Sequence, residues 1–205
     1  MESIREFFGV QLRRGFTPIL SALRRLNVTP NQVTVAGTIL NLGAAVLIVF
    51  DHLIFAGVVF LLAGCCDMLD GSLARMQQKS TQFGAFLDST LDRVSEGAVL
   101  AGVAYWFAAA PRVQAVNAAL VVLALLGSIL VSYTRARAES LGIECRVGLM
   151  SRPERVVLLA IGLFFNWLSY VIYIMVALTA FTVVQRVVHS YRQLRPQREQ
   201  GGFVE

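Results

Sequence analysis

The sequence predicts an all-α, polytopic membrane protein, and three observations carry that fold class. Of its 205 residues, 56% are hydrophobic and 15% charged, at a mean hydropathy of +0.64, whereas a soluble domain is nearer half apolar and about a quarter charged. Six apolar stretches approach the roughly 20 residues that a helix needs to cross a bilayer. Positive charge collects in alternate gaps between those stretches, as it does when arginine and lysine stay on the cytoplasmic side. The same composition argues against a disordered tail, a coiled coil or a secreted disulfide scaffold. The three cysteines, two of them adjacent at Cys65 and Cys66, form neither an even framework nor a CxxC pair and read as small buried hydrophobes.

The first element is an arm over 1–28. From Ser3 to Leu26, the apolar residues Ile4, Phe7, Phe8, Leu12, Phe16, Ile19, Leu20 and Leu23 recur at helical spacing against Arg5, Arg13, Arg14, Arg24 and Arg25. That pattern predicts an amphipathic helix lying in the membrane interface. Because arginines interrupt every apolar run there, no signal-peptide core precedes a cleavage site, and the arm is expected to stay on the chain in the cytoplasm. Thr29 and Pro30 read as the cap and first residue of the helix that follows.

Six spanning helices are expected within a domain over 29–190, near Val33–Phe50, Ile54–Met76, Phe83–Phe107, Val113–Arg135, Glu154–Phe165 and Ser169–Arg186. The fifth is short and has to borrow a turn at either end. Small residues Gly37, Gly43, Ala44 and Ala45 on the first span mark a face for close helix contact, a candidate dimer face. A basic tail over 191–205 closes the chain.

The formal net charge of +5 comes almost wholly from arginine, Lys79 being the only lysine. The arm, the 75–82 gap, the 135–155 gap and the tail after Arg186 hold nearly all of it, which puts both termini and both basic loops in the cytoplasm. Arginines so placed suit anionic lipid heads or phosphorylated substrates better than nucleic acid.

Four aspartates stand where a membrane helix should not tolerate them: Asp67 and Asp70 late in the second span, Asp88 and Asp92 early in the third. Each charge in a helix centre costs on the order of 2.5–3.5 kcal/mol, so something must neutralise the group. Residues three or four apart share a helix face, and a short turn around Met76–Gln82 should make the two helices antiparallel neighbours whose carboxylates converge. Gly71 and Gly84 leave room beside them for a ligand or a backbone. Hard oxygen donors without paired His or Cys favour Mg2+, Mn2+ or Ca2+ over zinc. The plainer alternative is pairing with arginines at helix ends. Glu96 extends the Asp88/Asp92 stripe by one more turn, to act in the site directly, to support it from behind or to bond Arg93.

The run Asp67-x2-Asp70-Gly71-x2-Ala74-Arg75-x8-Gly84-x3-Asp88-x3-Asp92 resembles the signature of the CDP-alcohol phosphotransferase family at every fixed position. The resemblance implies a six-span membrane enzyme, usually a homodimer, that moves a phosphatidyl group from a CDP-linked lipid to an alcohol and releases CMP. It implies two divalent ions, normally Mg2+ and replaceable by Mn2+, on Asp67, Asp70, Asp88 and Asp92, with Asp92 as general base. It further implies that Gly71, Arg75 and Thr81 contact the CDP moiety of CDP-diacylglycerol, and that the segment Asn31, Gln32, Val33 and Thr34 closes over it. A helix amino terminus there would itself favour an anion. The reaction suits these residue types, because in-line attack on a diphosphate builds charge on the entering and leaving oxygens while a carboxylate takes the hydroxyl proton.

Within the family, Ser132 to Glu139, Arg152-Pro153-Glu154-Arg155 and Phe83 to Asp88 resemble the prokaryotic phosphatidylinositol phosphate synthases. That likeness implies a pocket for the phosphate of inositol phosphate at Arg135, Arg155 and Arg195. Position 135 is often lysine in those enzymes, and the arginine here keeps the charge while replacing a point donor by a planar fork. Glycerol 3-phosphate is the second acceptor that such a pocket fits. Two other classes compete: a cation transporter, whose acids should lie near mid-membrane in repeated broken helices, and a membrane scaffold that uses the acids as partner contacts.

Overall fold

The computed structural model of the chain describes residues 18–77, 81–110 and 114–194. Every regular element among them is helical: α1 over 18–25, then α2 (Pro30–Val49), α3 (Leu53–Gln77), α4 (Gln82–Ala109), α5 (Ala115–Ser140), α6 (Arg152–Phe164) and α7 (Leu168–Leu194). Most of the proposed arm, together with Lys79 and Arg195, lies outside the described residues.

Local chemistry sets the boundaries. Thr29 in extended backbone accepts from the Gln32 N–H while the Gln32 side chain accepts from the Thr29 N–H, a reciprocal cap that starts α2 with Pro30 in its first turn. Four helix ends close in a common way: Asn27, Asp51, Gly142 and Asn166 take positive φ of 55°, 63°, 78° and 55°. The residue after each donates to a carbonyl five back, as in His52 to Leu47 at 2.9 Å and Trp167 to Gly162 at 2.9 Å. Asn, Asp and Gly tolerate that left-handed conformation with least strain.

Among the described residues, α2, α3, α5 and α7 are long and apolar enough to cross a membrane. The 28-residue α4 has the length but carries Asp88, Asp92, Arg93 and Glu96. With 13 residues, α6 rises only about 20 Å against a hydrocarbon core of about 30 Å. Large apolar side chains such as Ile39, Phe55, Leu123 and Phe181 point outward, the inverse of a water-soluble surface.

Helices α2 to α7 pack in a ring in the order α2, α3, α6, α7, α5, α4. This corrects the expectation that the two aspartate helices lie side by side: α2 separates them. Its small residues allow the close approach, since a Cβ on Gly37 would lie 3.1 Å from Cys66 Cβ of α3, and one on Gly102 of α4 would lie 2.9 Å from the Ala45 carbonyl oxygen of α2. Gly37, Ala44 and Ala45 are thus consumed inside the bundle, and only Gly43 has open space beside it.

One end of the ring is an apolar core built on Ile48, Leu100, Val103, Phe107, Leu163 and Ile172. A bond from Trp106 Nε1 to Asp51 Oδ1 at 2.6 Å ties α4 to the turn between α2 and α3 there. The other end holds the four aspartates, Glu96 and the arginines that pair with them. In it, α1 lays Leu20 and Leu23 against Val33, Leu69 and Leu73, and Gln77 Nε2 donates to the Val28 carbonyl at 3.1 Å.

Candidate active site

The aspartates occupy the open end of the ring, where α3 and α4 face each other with the start of α2 behind them. A cavity of about 210 Å³ is lined by Asn31 and Thr34 of α2, Asp70, Gly71 and Arg75 of α3, and Thr81, Gly84 and Asp88 along the start of α4. Thr81 also caps α4, accepting from the Gly84 N–H at 3.0 Å. Gly84 is needed for the approach, since a Cβ there would lie 3.0 Å from Thr81 Oγ1 and 3.2 Å from Asn31 Oδ1. Of the residues expected around the nucleotide, Asn31, Thr34, Gly71, Arg75 and Thr81 come together. Gln32 is engaged in the α2 cap, and Val33 is buried against Leu20 and Leu73.

Each carboxylate has its own environment. Asp70, 5% exposed, accepts from Thr34 Oγ1 at 2.7 Å and from the Gly71 N–H at 2.5 Å. Asp67 and Asp92 share a cation: Arg152 Nη1 of α6 lies 2.8 Å from Asp67 Oδ2 and also pairs with Asp92 Oδ1. Among the described residues, no three His, Cys, Asp or Glu side chains close into a ligand cluster. Like charges repel, and here one guanidinium serves Asp67 and Asp92 together while a hydroxyl and a backbone N–H serve Asp70. Four hard carboxylate donors at one cleft nonetheless fit divalent cations by their chemistry, and the cation already drawn between two of them marks how much positive charge the cleft demands.

A second cavity of about 590 Å³ shares Asp88 with the first and is walled also by Asp92, Arg135, Arg152, Arg155 and Arg186 among others. Arg135 stands at its rim, paired with Glu139 at 2.8 Å and half exposed. Arg155 is 3% exposed and grips Glu96 in a fork, Nε to Oε1 at 2.6 Å and Nη2 to Oε2 at 3.0 Å, with Nη1 on the Met150 carbonyl at 3.3 Å. Glu96 therefore pairs with Arg155 and not with Arg93, whose Nη1 bonds the Ser89 carbonyl.

Two residues that the sequence reading passed over hold this cavity. Arg186, also buried, donates from Nε to the Val147 carbonyl at 2.9 Å and from Nη1 to the Val131 carbonyl, fixing the loop before α6 to α5. Thr182 accepts from the Met150 N–H at 3.1 Å one turn earlier on α7. Asn41, a buried polar residue in the middle of α2, lines a small cavity of about 20 Å³ beside Asp67 and Ser95, room for a single water. A polar residue inside an apolar span was the available signal for Asn41. The Arg-Pro-x-Arg spacing offered Arg152 alongside Arg155.

Comparison with known proteins settles the family. The model of the CDP-alcohol phosphatidyltransferase family matches residues 27–186, the span that contains both cavities. The chain belongs to the CDP-alcohol phosphatidyltransferase family. Among curated members, the phosphatidylinositol phosphate synthase of Corynebacterium glutamicum is 37% identical over 178 residues, 83% of this chain and 81% of the relative. The archaetidylinositol phosphate synthase of Methanothermobacter thermautotrophicus is 34% identical over 200 residues, 95% and 97% of the two chains. The crystal structure of Mycobacterium tuberculosis phosphatidylinositol phosphate synthase with CDP-DAG bound superposes at a TM-score of 0.80 with 32% identity, covering 87% of this chain and 94% of that one. The same enzyme in complex with manganese and citrate superposes at 0.78, with 33% identity over 85% of this chain and 88% of that one. As a phosphatidyltransferase the chain is an enzyme of lipid chemistry, and neither transporter nor scaffold describes it.

Proposed function

We propose that this phosphatidyltransferase moves the phosphatidyl group of CDP-diacylglycerol to a hydroxyl of inositol phosphate, giving phosphatidylinositol phosphate and CMP. One observation carries the reading: Asp88 lines both the 210 Å³ cavity beside Arg75 and the 590 Å³ arginine-walled cavity, so a nucleotide-lipid in the first and a phosphorylated acceptor in the second meet at one carboxylate edge. Relatives named for inositol phosphate products and a homologue holding CDP-DAG support both halves.

Asp67, Asp70, Asp88 and Asp92 would hold two divalent ions, Mg2+ or Mn2+, the latter being the ion in a homologue's structure. When bound, such ions neutralise the diphosphate and the departing CMP. The chain's own residues do the rest. Asn31, Thr34 and Arg75 line the donor side, and the α2 amino terminus favours the diphosphate anion. Arg135, Arg155 and, from the tail, Arg195 present charge-assisted donors to the acceptor phosphate. Asp92 takes the proton of the attacking hydroxyl as the phosphorus–oxygen bond to CMP breaks.

The same reading assigns six spans, with α4 crossing behind its neutralised acids and α6 lengthened by its flanking loops. It also assigns an interfacial arm over 1–28, a catalytic domain over 29–190, a cytoplasmic basic tail over 191–205 and a homodimer in the cell membrane with its active site facing the cytoplasm. Purified protein given CDP-diacylglycerol, Mg2+ and a panel of radiolabelled acceptors tests it. Label from inositol phosphate should enter the lipid phase and stop on chelation. Label entering from glycerol 3-phosphate instead would overturn the acceptor assignment.

A further inference from the structure

Arg152 is placed to do more than neutralise. One nitrogen, Nη1, reaches Asp67 on α3 and Asp92 on α4 at once, so a single monovalent cation bridges two helices that do not pack along each other. Both carboxylates are poorly solvated, their side chains 17% and 19% exposed, and their mutual repulsion is correspondingly strong. The backbone carrying Arg152 is fixed: it opens α6 before Pro153, and Arg155 anchors the same turn to Glu96 and to the Met150 carbonyl. The guanidinium itself contacts the two carboxylates. It also lines the arginine-walled cavity next door, so a place for the released guanidinium exists within its own reach.

We propose that Arg152 is the resident counter-cation of the carboxylate cleft, competing with divalent ions for Asp67 and Asp92 and swinging into the acceptor cavity when they bind. This rests on the reading of the four aspartates as the metal site and adds to it a competitor built into the chain. A dication seated between the two carboxylates repels a guanidinium at the same point, so the two cations exclude each other there. Release has one consequence. The acceptor cavity gains a cation beside Arg135 and Arg155, so metal loading completes the acceptor site.

The test is Mn2+ binding to the purified full-length chain in detergent, followed by the paramagnetic resonance of free Mn2+. Arg152→Gln should bind Mn2+ about tenfold more tightly than the parent chain, because the fraction of cleft open to metal rises. Its metal-free melting temperature should fall and recover on Mn2+ addition. Arg152→Lys, which keeps a charge, should stay near the parent. Unchanged or weaker Mn2+ binding by Arg152→Gln, with the parent still binding, overturns the competition alone. No Mn2+ binding by any of the three overturns the metal reading as well. A readout on the unmodified chain is independent of variant folding: phenylglyoxal labelling of Arg152, read by mass spectrometry, should increase when Mn2+ is added. Labelling that stays constant or falls would contradict the displacement.

Discussion

At the end of the ring that carries Phe107, Leu163 and Ile172, the helices meet through side chains with no exposed surface or almost none. The polar contacts there sit at the periphery, Trp106 to Asp51 and Asn117 to Ser169 at 3.1 Å. At the opposite end the helices meet through charge: Asp67 and Asp92 on Arg152, Glu96 on Arg155, Arg186 on two carbonyls. The first region is bound by shape, where any well-packed apolar set of equal volume would serve. In the second, removing one partner leaves a poorly solvated charge uncompensated, and breaking a pair costs far more than the pair itself contributes. Packing by shape and pairing by charge are thus separated along the helix axes, and substitutions should divide accordingly.

The largest effect is expected from Asp92→Asn, which should lower turnover by about 10²–10⁴-fold while leaving thermal unfolding in detergent nearly unchanged, since Arg152 keeps Asp67. Near-normal turnover would remove Asp92 from the base role. Glu96→Gln should destabilise the fold by about 3–5 kcal/mol through the stranded Arg155 charge. Pairing it with Arg155→Met should restore much of that loss in the same unfolding assay. If the double variant is no better than the single, the charged end is not held by pairing. In the apolar end, Gly102→Leu should cost about 1–3 kcal/mol, because the obstacle is the Ala45 carbonyl and not a flexible side chain. Activity per folded molecule should persist. Smallest of all, Trp106→Phe should cost about 1 kcal/mol for one lost hydrogen bond, with no change in acceptor KM.

Much of the site was legible because helical periodicity is local. Asp67 with Asp70 and Asp88 with Asp92 fall on common faces whatever surrounds them, and Thr29 and Pro30 announce a helix start that the structure contains. Arg155 illustrates the limit. The resemblance implies a place for it in the phosphate pocket, and the structure adds that it lines the larger cavity while buried in a fork with Glu96, 59 residues away. No spacing rule reaches that far. Gln32 and Val33 show the same limit at short range, one spent on a cap and the other on the packing of α1.

From the chain alone came the helical class, the apolar stretches, the alternation of positive charge, the four acids and the family signature, since each depends on residues within a turn or a span of one another. Tertiary structure decided that α2 stands between the two acidic helices, that Arg152 joins them from α6, and that Glu96 answers Arg155. Those outcomes depend on which helices become neighbours, which is set by how small residues such as Gly37 and Gly102 let backbones approach. A buried charge then takes whatever counter-charge that packing brings within reach.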